Sequence, residues 1–242
     1  MTLDMRKAAE TRYHDRRHAG RVLASRLERY AGAEDLVVLA LPRGGVPVAF
    51  EVAVRLEVPL DVFVVRKLGV PGDEELAMGA VASGGVRVLN DEVIDEAGVS
   101  ERALAEVTAR ELREVERREH AYRGNRAPVD ITGRTVILVD DGLATGSTMN
   151  AAILGIREFS PTWVIVAVPI AAPNTCRGLS EMVDEMVCAA TPEPFMAVGV
   201  WYADFAQTSD AEVHTLLEAA RSIATDQASA GGSDQSGVRI IG

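Results

Sequence analysis

The sequence predicts an α/β protein: one domain with a central, mostly parallel sheet flanked by helices. Three observations carry that expectation. Strand-like and helix-like segments alternate along the chain. The runs "DLVVLAL", "TVILVDDG" and "TWVIVAVPIA" are apolar almost without interruption, as strands covered on both faces are. Finally, three loops of unusual composition, "PRGG", "RKLG" and "DDGLATGST", fall at the carboxyl ends of predicted strands, where open α/β sheets place their sites.

The elements follow in order. In "DRRHAGRVLASRLERY", Val22, Leu23 and Leu27 form an apolar stripe, which predicts an amphipathic helix over about 15–31 with a solvated arginine face. "DLVVLAL" is a buried strand ended by "PRGG", and "VPVAFEVAVRLE" has the helical spacing of Val48, Val52 and Leu56. "PLDVFVVRKLG" reads as one further buried strand, and "GGVRVLN" as a short strand after a glycine turn. Ser100 then caps a long charged helix through about Tyr122, with Leu104, Val107, Leu112 and Val115 on one side. Its Glu106–Arg110 and Glu114–Arg118 pairs stand at the i,i+4 spacing that supports a helix.

"TVILVDDG" is the next strand, "STMNAAILGIREF" the next helix and "TWVIVAVPIA" another strand. "NTCRGLSEMVDEM" reads as a helix opened by Asn174, and "SDAEVHTLLEAARS" as a last helix capped by Ser209. From about Thr225 the chain is rich in Ser, Gly and Gln without periodicity, which marks 225–242 as a disordered tail and 1–224 as the domain.

Composition narrows the function classes. A chain of 242 residues, 48% hydrophobic and 25% charged, can build a sizeable core. The net charge of −11 disfavours general binding to nucleic acid or to an anionic membrane. Two cysteines, Cys176 and Cys188, stand at neither metal-ligand nor redox-pair spacing and suggest no disulfide framework. No basic-then-apolar leader is visible, and no apolar run approaches the ~20 residues of a membrane span, so a soluble cytoplasmic protein is expected.

The stretch "TVILVDDGLATGSTM" carries the chemistry. A buried strand ends on two adjacent carboxylates, Asp140 and Asp141, whose repulsion packing alone does not explain. The loop after them offers small residues and three hydroxyls, on Thr145, Ser147 and Thr148. A helix starting near Ser147 would aim its positive end at the same spot, a seat for a phosphate monoester. The upstream aspartates suit sugar hydroxyls or a hydrated Mg²⁺. A helix start with nearby acids accounts for the acids but not for the whole string. No G-x-x-x-x-G-K-[ST] and no G-x-G-x-x-G fingerprint is present.

"VILVDDGLATGST" resembles the phosphoribosyl-pyrophosphate signature of the type I phosphoribosyltransferases. With "LPRGGVPVAFEVA" and "RKLGVPGDEELAMGAVA", the likeness runs from about Asp35 to Tyr202 and is greatest to a group of bacterial members of unsettled substrate. The resemblance implies a type I phosphoribosyltransferase-like fold with a mobile lid and a small hood. It implies transfer of a 5-phosphoribosyl group from phosphoribosyl pyrophosphate to a nitrogenous acceptor, with Mg²⁺ as cofactor and release of pyrophosphate. Asp140 and Asp141 would hold the ribose hydroxyls, directly or through the waters of the metal, and Ala144, Thr145, Gly146, Ser147 and Thr148 the 5-phosphate. "PRGG" would be the pyrophosphate loop, where relatives often carry a strained or cis peptide: Arg43 would bind pyrophosphate while Gly44 and Gly45 let the backbone approach.

The lid falls at about 67–87, where Arg66 and Lys67 would contact pyrophosphate. Lys67 is one of two lysines against 23 arginines, the other being Lys7. Asp73, Glu74 and Glu75 make this lid more acidic than an anion-binding lid should be. In the hood, "VGVWYADF" puts Trp201 or Tyr202 where relatives stack an aromatic on the base, with Asp204 within reach of a metal or an exocyclic amine; an aromatic edge of the core reads equally well. The 6-oxopurine members carry a carboxylate where Ala144 stands, which weakens that substrate class here. Many relatives are homodimers. A non-catalytic phosphoribosyl-pyrophosphate sensor is the competing reading; it would keep the phosphate seat and lose the leaving-group contacts.

Overall fold

A computed structural model describes residues 12–231. Helices are α1 (Arg16–Arg26), α2 (Gly45–Leu56), α3 (Asp91–Glu96), α4 (Glu101–Arg123), α5 (Ser147–Arg157), α6 (Pro173–Ser180) and α7 (Asp210–Gly231). Strands are β1 (Leu36–Ala40), β2 (Leu60–Val62), β3 (Val65–Val70), β4 (Asp73–Ala82), β5 (Val86–Leu89), β6 (Thr135–Val139), β7 (Trp163–Ile170) and β8 (Glu185–Ala190). Five strands form a parallel sheet in the order β2-β1-β6-β7-β8, and β3-β4-β5 form a separate antiparallel sheet.

The two-residue period of a strand divides β1 between two cores. Leu36, Val38 and Ala40 pack with α1, α2 and α7, while Val37 and Leu39 pack with Ala152, Ile153 and Ile156 of α5. Both faces are thus covered, which is why the run "LVVLA" is apolar throughout. Truncating one such residue to alanine typically costs ~2–5 kcal/mol. On the first face, α1 crosses α2 at Gly20, where a Cβ would lie 2.6 Å from the Val48 carbonyl oxygen.

The expected elements around 45–56, 86–89, 101–123, 135–139, 147–157 and 163–170 all form. Ser100 caps α4 through the Ala103 amide, and Ser209 accepts from the Glu212 amide at the head of α7. Near the N-terminus, Asp15 caps α1, which stops at Arg26 and gives way to a 3-10 turn over Glu28–Tyr30.

Five expectations are corrected. "PLDVFVVRKLG" is two strands, because the partner of β2 ends at Ala40 and the ladder has nothing further to pair with. The chain changes sheets at Val64, whose backbone exchanges bonds with Ser83: Val64 N to Ser83 Oγ and Ser83 N to Val64 O, both 2.9 Å.

The helix expected over "NTCRGLSEMVDEM" stops at Ser180, and Ala172, not Asn174, stands at its cap. The open edge of β7 then draws 185–190 into β8, where Met186 and Cys188 face one core and Val187 and Ala189 the other. Tertiary pairing overrides local propensity here.

Cys176 and Cys188 form a disulfide, since α6 folds back over β8 and brings their Cα atoms to 6.8 Å. α7 continues through Gly231, beyond the expected start of the tail, and 232–242 lie outside the described residues, as does Lys7. Glu114–Arg118 pairs at 2.7 Å as expected, but Glu106 takes Arg102, and Arg110 turns to Glu111. Glu111 is buried and already held by Arg66 of β3, so it offers Arg110 the less hydrated partner.

Candidate active site

The carboxyl ends of β1, β6 and β7 meet at one rim. Leu41 N donates to Val139 O, Leu143 N to Ile170 O and Ala172 N to Leu143 O, each at 2.9 Å, so three strand-end loops are stitched together by backbone bonds. Residues 41–45, 140–147 and 171–173 therefore form one surface.

The first loop turns sharply through a cis peptide between Pro42 and Arg43 and enters α2 at Gly45. Its glycines are demanded by proximity. A Cβ at Gly44 would stand 2.1 Å from Asp141 Oδ2, and one at Gly45 would stand 2.7 Å from Val139 O and 3.2 Å from Asp140 Oδ1. The backbone of this loop lies against both carboxylates.

Asp140 and Asp141 sit half-buried at the end of β6, and Asp141 N donates to Asp140 Oδ1 at 2.8 Å. Burial pushes the Asp140 carboxyl well above the usual range, and the neighbouring Asp141 charge pushes it the same way. Burial also raises Asp141, against the pull of Arg16, whose Nε donates to Asp141 Oδ2 at 2.7 Å. Tyr202 donates its hydroxyl to the Asp141 carbonyl at 2.5 Å. Such a pair is at its lowest energy with a cation or hydroxyl donors against it.

The loop expected to hold the 5-phosphate, 144–148, leads directly into α5. Gly146 caps α5 at φ +76°, with no side chain bonded to the first amides of the helix. Those amides are free to point at an anion. The hydroxyls of Thr145 and Ser147 lie 3.2 Å apart and, with Thr148, face solvent. Behind the loop, Thr175 of α6 donates its hydroxyl to Ala144 O at 2.5 Å.

The three cations expected at the leaving group are each placed beside a carboxylate. Arg43 Nη1 lies 3.6 Å from Asp210, Arg66 Nη2 2.7 Å from Glu111, and Lys67 Nζ 3.3 Å from Glu75. Adjacent strand residues point to opposite faces. Arg66 thus meets α4 while Lys67 meets β4, and the two do not converge. The acidity of the segment has a partial account in the Lys67–Glu75 pair. Segment 67–87 forms most of the antiparallel sheet.

In the hood, Trp201 and Tyr202 take the core reading. They are 7% and 1% exposed and pack with Tyr13, Ala19 and Ile170, so neither presents a ring face to a base. Asp204 Oδ1 accepts from Ala206 N, and no cluster of three metal-ligating side chains exists among the described residues, so Asp204 does not join the Asp140–Asp141 pair. Sequence reasoning missed Arg16, Phe205 and Thr175. Arg16 sits in a stretch of arginines that reads as a solvated face, and no spacing signal separates it from its neighbours.

Fold and rim together define an α/β protein whose candidate site lies beyond the carboxyl ends of a parallel sheet. The chain belongs to the phosphoribosyl transferase family: the phosphoribosyl transferase domain matches residues 11–191. It is 48% identical over 208 residues to a protein of Mycobacterium tuberculosis H37Rv named as an inferred phosphoribosyl transferase, covering 86% of this chain. The chain spans about half the length of that relative, 47%. It is 31% identical over 157 residues to the bifunctional protein PyrR of Roseiflexus, covering 64% of this chain and 66% of that one. Among solved structures, TT1426 of Thermus thermophilus matches with a TM-score of 0.75 and 43% identity, over 85% of this chain and 97% of that one.

Proposed function

We propose that this chain transfers the 5-phosphoribosyl group of phosphoribosyl pyrophosphate to a small nitrogenous acceptor, releasing pyrophosphate. The observation that carries the reading is the adjacency of the two carboxylates to the uncapped head of α5. Both stand on the one loop between β6 and α5, which is held to the rim at Leu143, and this supports a phosphate at Thr145–Thr148 on the same rim as Asp140 and Asp141.

In this reading the amides of α5 and the hydroxyls of Thr145, Ser147 and Thr148 hold the 5-phosphate. Asp140 and Asp141 accept from the ribose hydroxyls and stabilise positive charge as the anomeric bond breaks. That bond leaves its electron pair on pyrophosphate while the acceptor nitrogen bonds to the anomeric carbon and then loses a proton. Arg43 and the Gly44–Gly45 backbone border the leaving group. Ala144 offers no group to exchange that proton, so acceptors that need a carboxylate there fit poorly.

The donor set fits Mg²⁺, which is usually bound through one or two carboxylates plus substrate oxygens and its own waters. Asp140 and Asp141 would hold it, and the ion would supply charge stabilisation for pyrophosphate.

Calorimetry of phosphoribosyl pyrophosphate with and without Mg²⁺ tests the reading, with Asp140→Asn plus Asp141→Asn as control and ribose 5-phosphate as competitor. Metal-dependent binding that is lost in the double variant is expected; binding indifferent to both removes the transferase reading. A second reading, a phosphoribosyl-pyrophosphate sensor without turnover, is favoured by the pairing of Arg43, Arg66 and Lys67 with carboxylates. Pyrophosphate release across a panel of nucleobases and amines separates the two. Tight binding with no release from any acceptor selects the sensor.

A further inference from the structure

Arg16 belongs to α1, outside the sheet, yet its guanidinium reaches the carboxylate pair. Nε donates to Asp141 Oδ2 at 2.7 Å, Nη1 donates to Ala206 O at 2.6 Å, and the carbon between them lies 3.9 Å from the centre of the Phe205 ring. The side chain is 12% exposed. Phe205 and Ala206 are hood residues, and Phe205 also packs on Tyr202, their centroids 5.0 Å apart. The hood is therefore tied to Asp141 at two points: to its carbonyl through Tyr202 and to its carboxylate through Arg16.

We propose that Arg16 is a positioning residue for the sugar site, which fixes the orientation of the Asp141 carboxylate and latches hood residues 202–206 to it. The inference rests on the reading of Asp140 and Asp141 as the ribose carboxylates. The geometry uses every property that distinguishes arginine from lysine: two donors on a rigid fork and a flat face that stacks on an aromatic ring. The χ2 torsion of an aspartate is broad, so an untethered carboxylate rotates freely. The contact to Oδ2 holds Asp141 while leaving Oδ1 for a sugar hydroxyl. Its positive charge also offsets the repulsion between the adjacent acids, which otherwise favours turning one of them away. A site held in its working geometry before ligand arrives loses less on binding.

The same contact has an opposite reading, a plug that ligand must displace, and the two differ in sign. The test compares wild type, Arg16→Ala, Arg16→Lys and Phe205→Leu as full chains. It measures phosphoribosyl pyrophosphate affinity by calorimetry and amide exchange of residues 198–209 without ligand.

Arg16→Ala should weaken affinity about tenfold, the scale of one charged hydrogen bond, and speed hood exchange. Arg16→Lys should recover only part of both. Phe205→Leu, which keeps the ion pair, should speed exchange with a smaller loss of affinity, and it serves with Arg16→Lys if Arg16→Ala does not fold. Tighter or unchanged binding in Arg16→Ala, or full recovery in Arg16→Lys, overturns the proposal. If wild type itself binds no phosphoribosyl pyrophosphate, the functional reading fails instead, and equal hood exchange in Arg16→Ala and wild type separately overturns the latch.

Discussion

Gly44 and Asp141 are packed so closely that a methyl group on residue 44 would stand 2.1 Å from Asp141 Oδ2 and 2.8 Å from its Cγ. The backbone at Gly44 is right-handed helical, φ −60°, so alanine meets no torsional objection there. The effect of a substitution falls first on the carboxylate and then on Arg16 Nε, which would stand 3.3 Å from the added methyl group. Gly44→Ala should swing Asp141 away from Arg16 and lower phosphoribosyl pyrophosphate affinity by about tenfold or more, the loss of one charged hydrogen bond. The melting temperature should move little. Calorimetry beside a thermal melt checks this, and a large loss of stability with intact affinity would contradict it.

Thr175 donates to Ala144 O at 2.5 Å from behind the loop proposed to hold the 5-phosphate. Thr175→Val keeps the shape and removes the donor, at a cost of ~1 kcal/mol. Because it loosens the phosphate loop only, affinities for ribose 5-phosphate and phosphoribosyl pyrophosphate should fall by the same factor, about fivefold. Unequal factors would place Thr175 at the leaving group instead.

Asp61 and Arg123 form a buried ion pair, with Nε–Oδ1 at 2.7 Å and the side chains 8% and 6% exposed. Asp61 also accepts from the amides of Val62 and Val129, and Arg123 donates to Val62 O at 2.5 Å. This knot joins edge strand β2 to the end of α4. Removing one partner leaves the other charged and buried, so Arg123→Met should cost ~3–5 kcal/mol. Urea unfolding measures it, and Asp61→Asn with Arg123→Met together should cost less than their sum.

Glu114 is held down to about 2 by hydrogen bonds from Arg117 and Arg118, below its ordinary value of 4.5. A lowered folded-state value makes the unfolded chain the better proton binder. Its stabilising contribution is therefore present above pH 4.5 and lost as pH falls toward 2. Melting temperature followed over that window should slope less steeply in Glu114→Gln than in wild type. Identical slopes would show that the pair with Arg117 and Arg118 does not form in solution.

Much of the candidate site is legible in the sequence alone. A strand ending on two acids, then a string of glycines and hydroxyls at a helix head, has few physical explanations. Asp140, Asp141 and 144–148 occupy one strand-to-helix loop at the rim, between β6 and α5. Gly44 and Gly45 join them because a parallel sheet brings the ends of β1 and β6 side by side. These are local or topological consequences, and the near-continuous apolar runs mark the parallel strands that carry the loops.

Side-chain pairing was not legible, because it depends on distances between residues far apart in the chain. Arg16 reaches Asp141 across 125 positions, and nothing in its flanking residues distinguishes it from Arg17 or Arg21, which reach Glu51 instead. Arg66 and Lys67 read as one cationic pair, yet β3 sends them to opposite faces. Trp201 and Tyr202 read as readily for a base platform as for a core edge until Tyr13 and Ile170 closed over them. Periodicity and punctuation in the sequence determined β1, β6 and β7, the helices that follow them and the rim on which a site would form, while β8 and the division of β2 from β3 followed from strand pairing. Which charges meet there, and which aromatics are left free, was decided only when packing placed distant side chains within a few ångströms of one another.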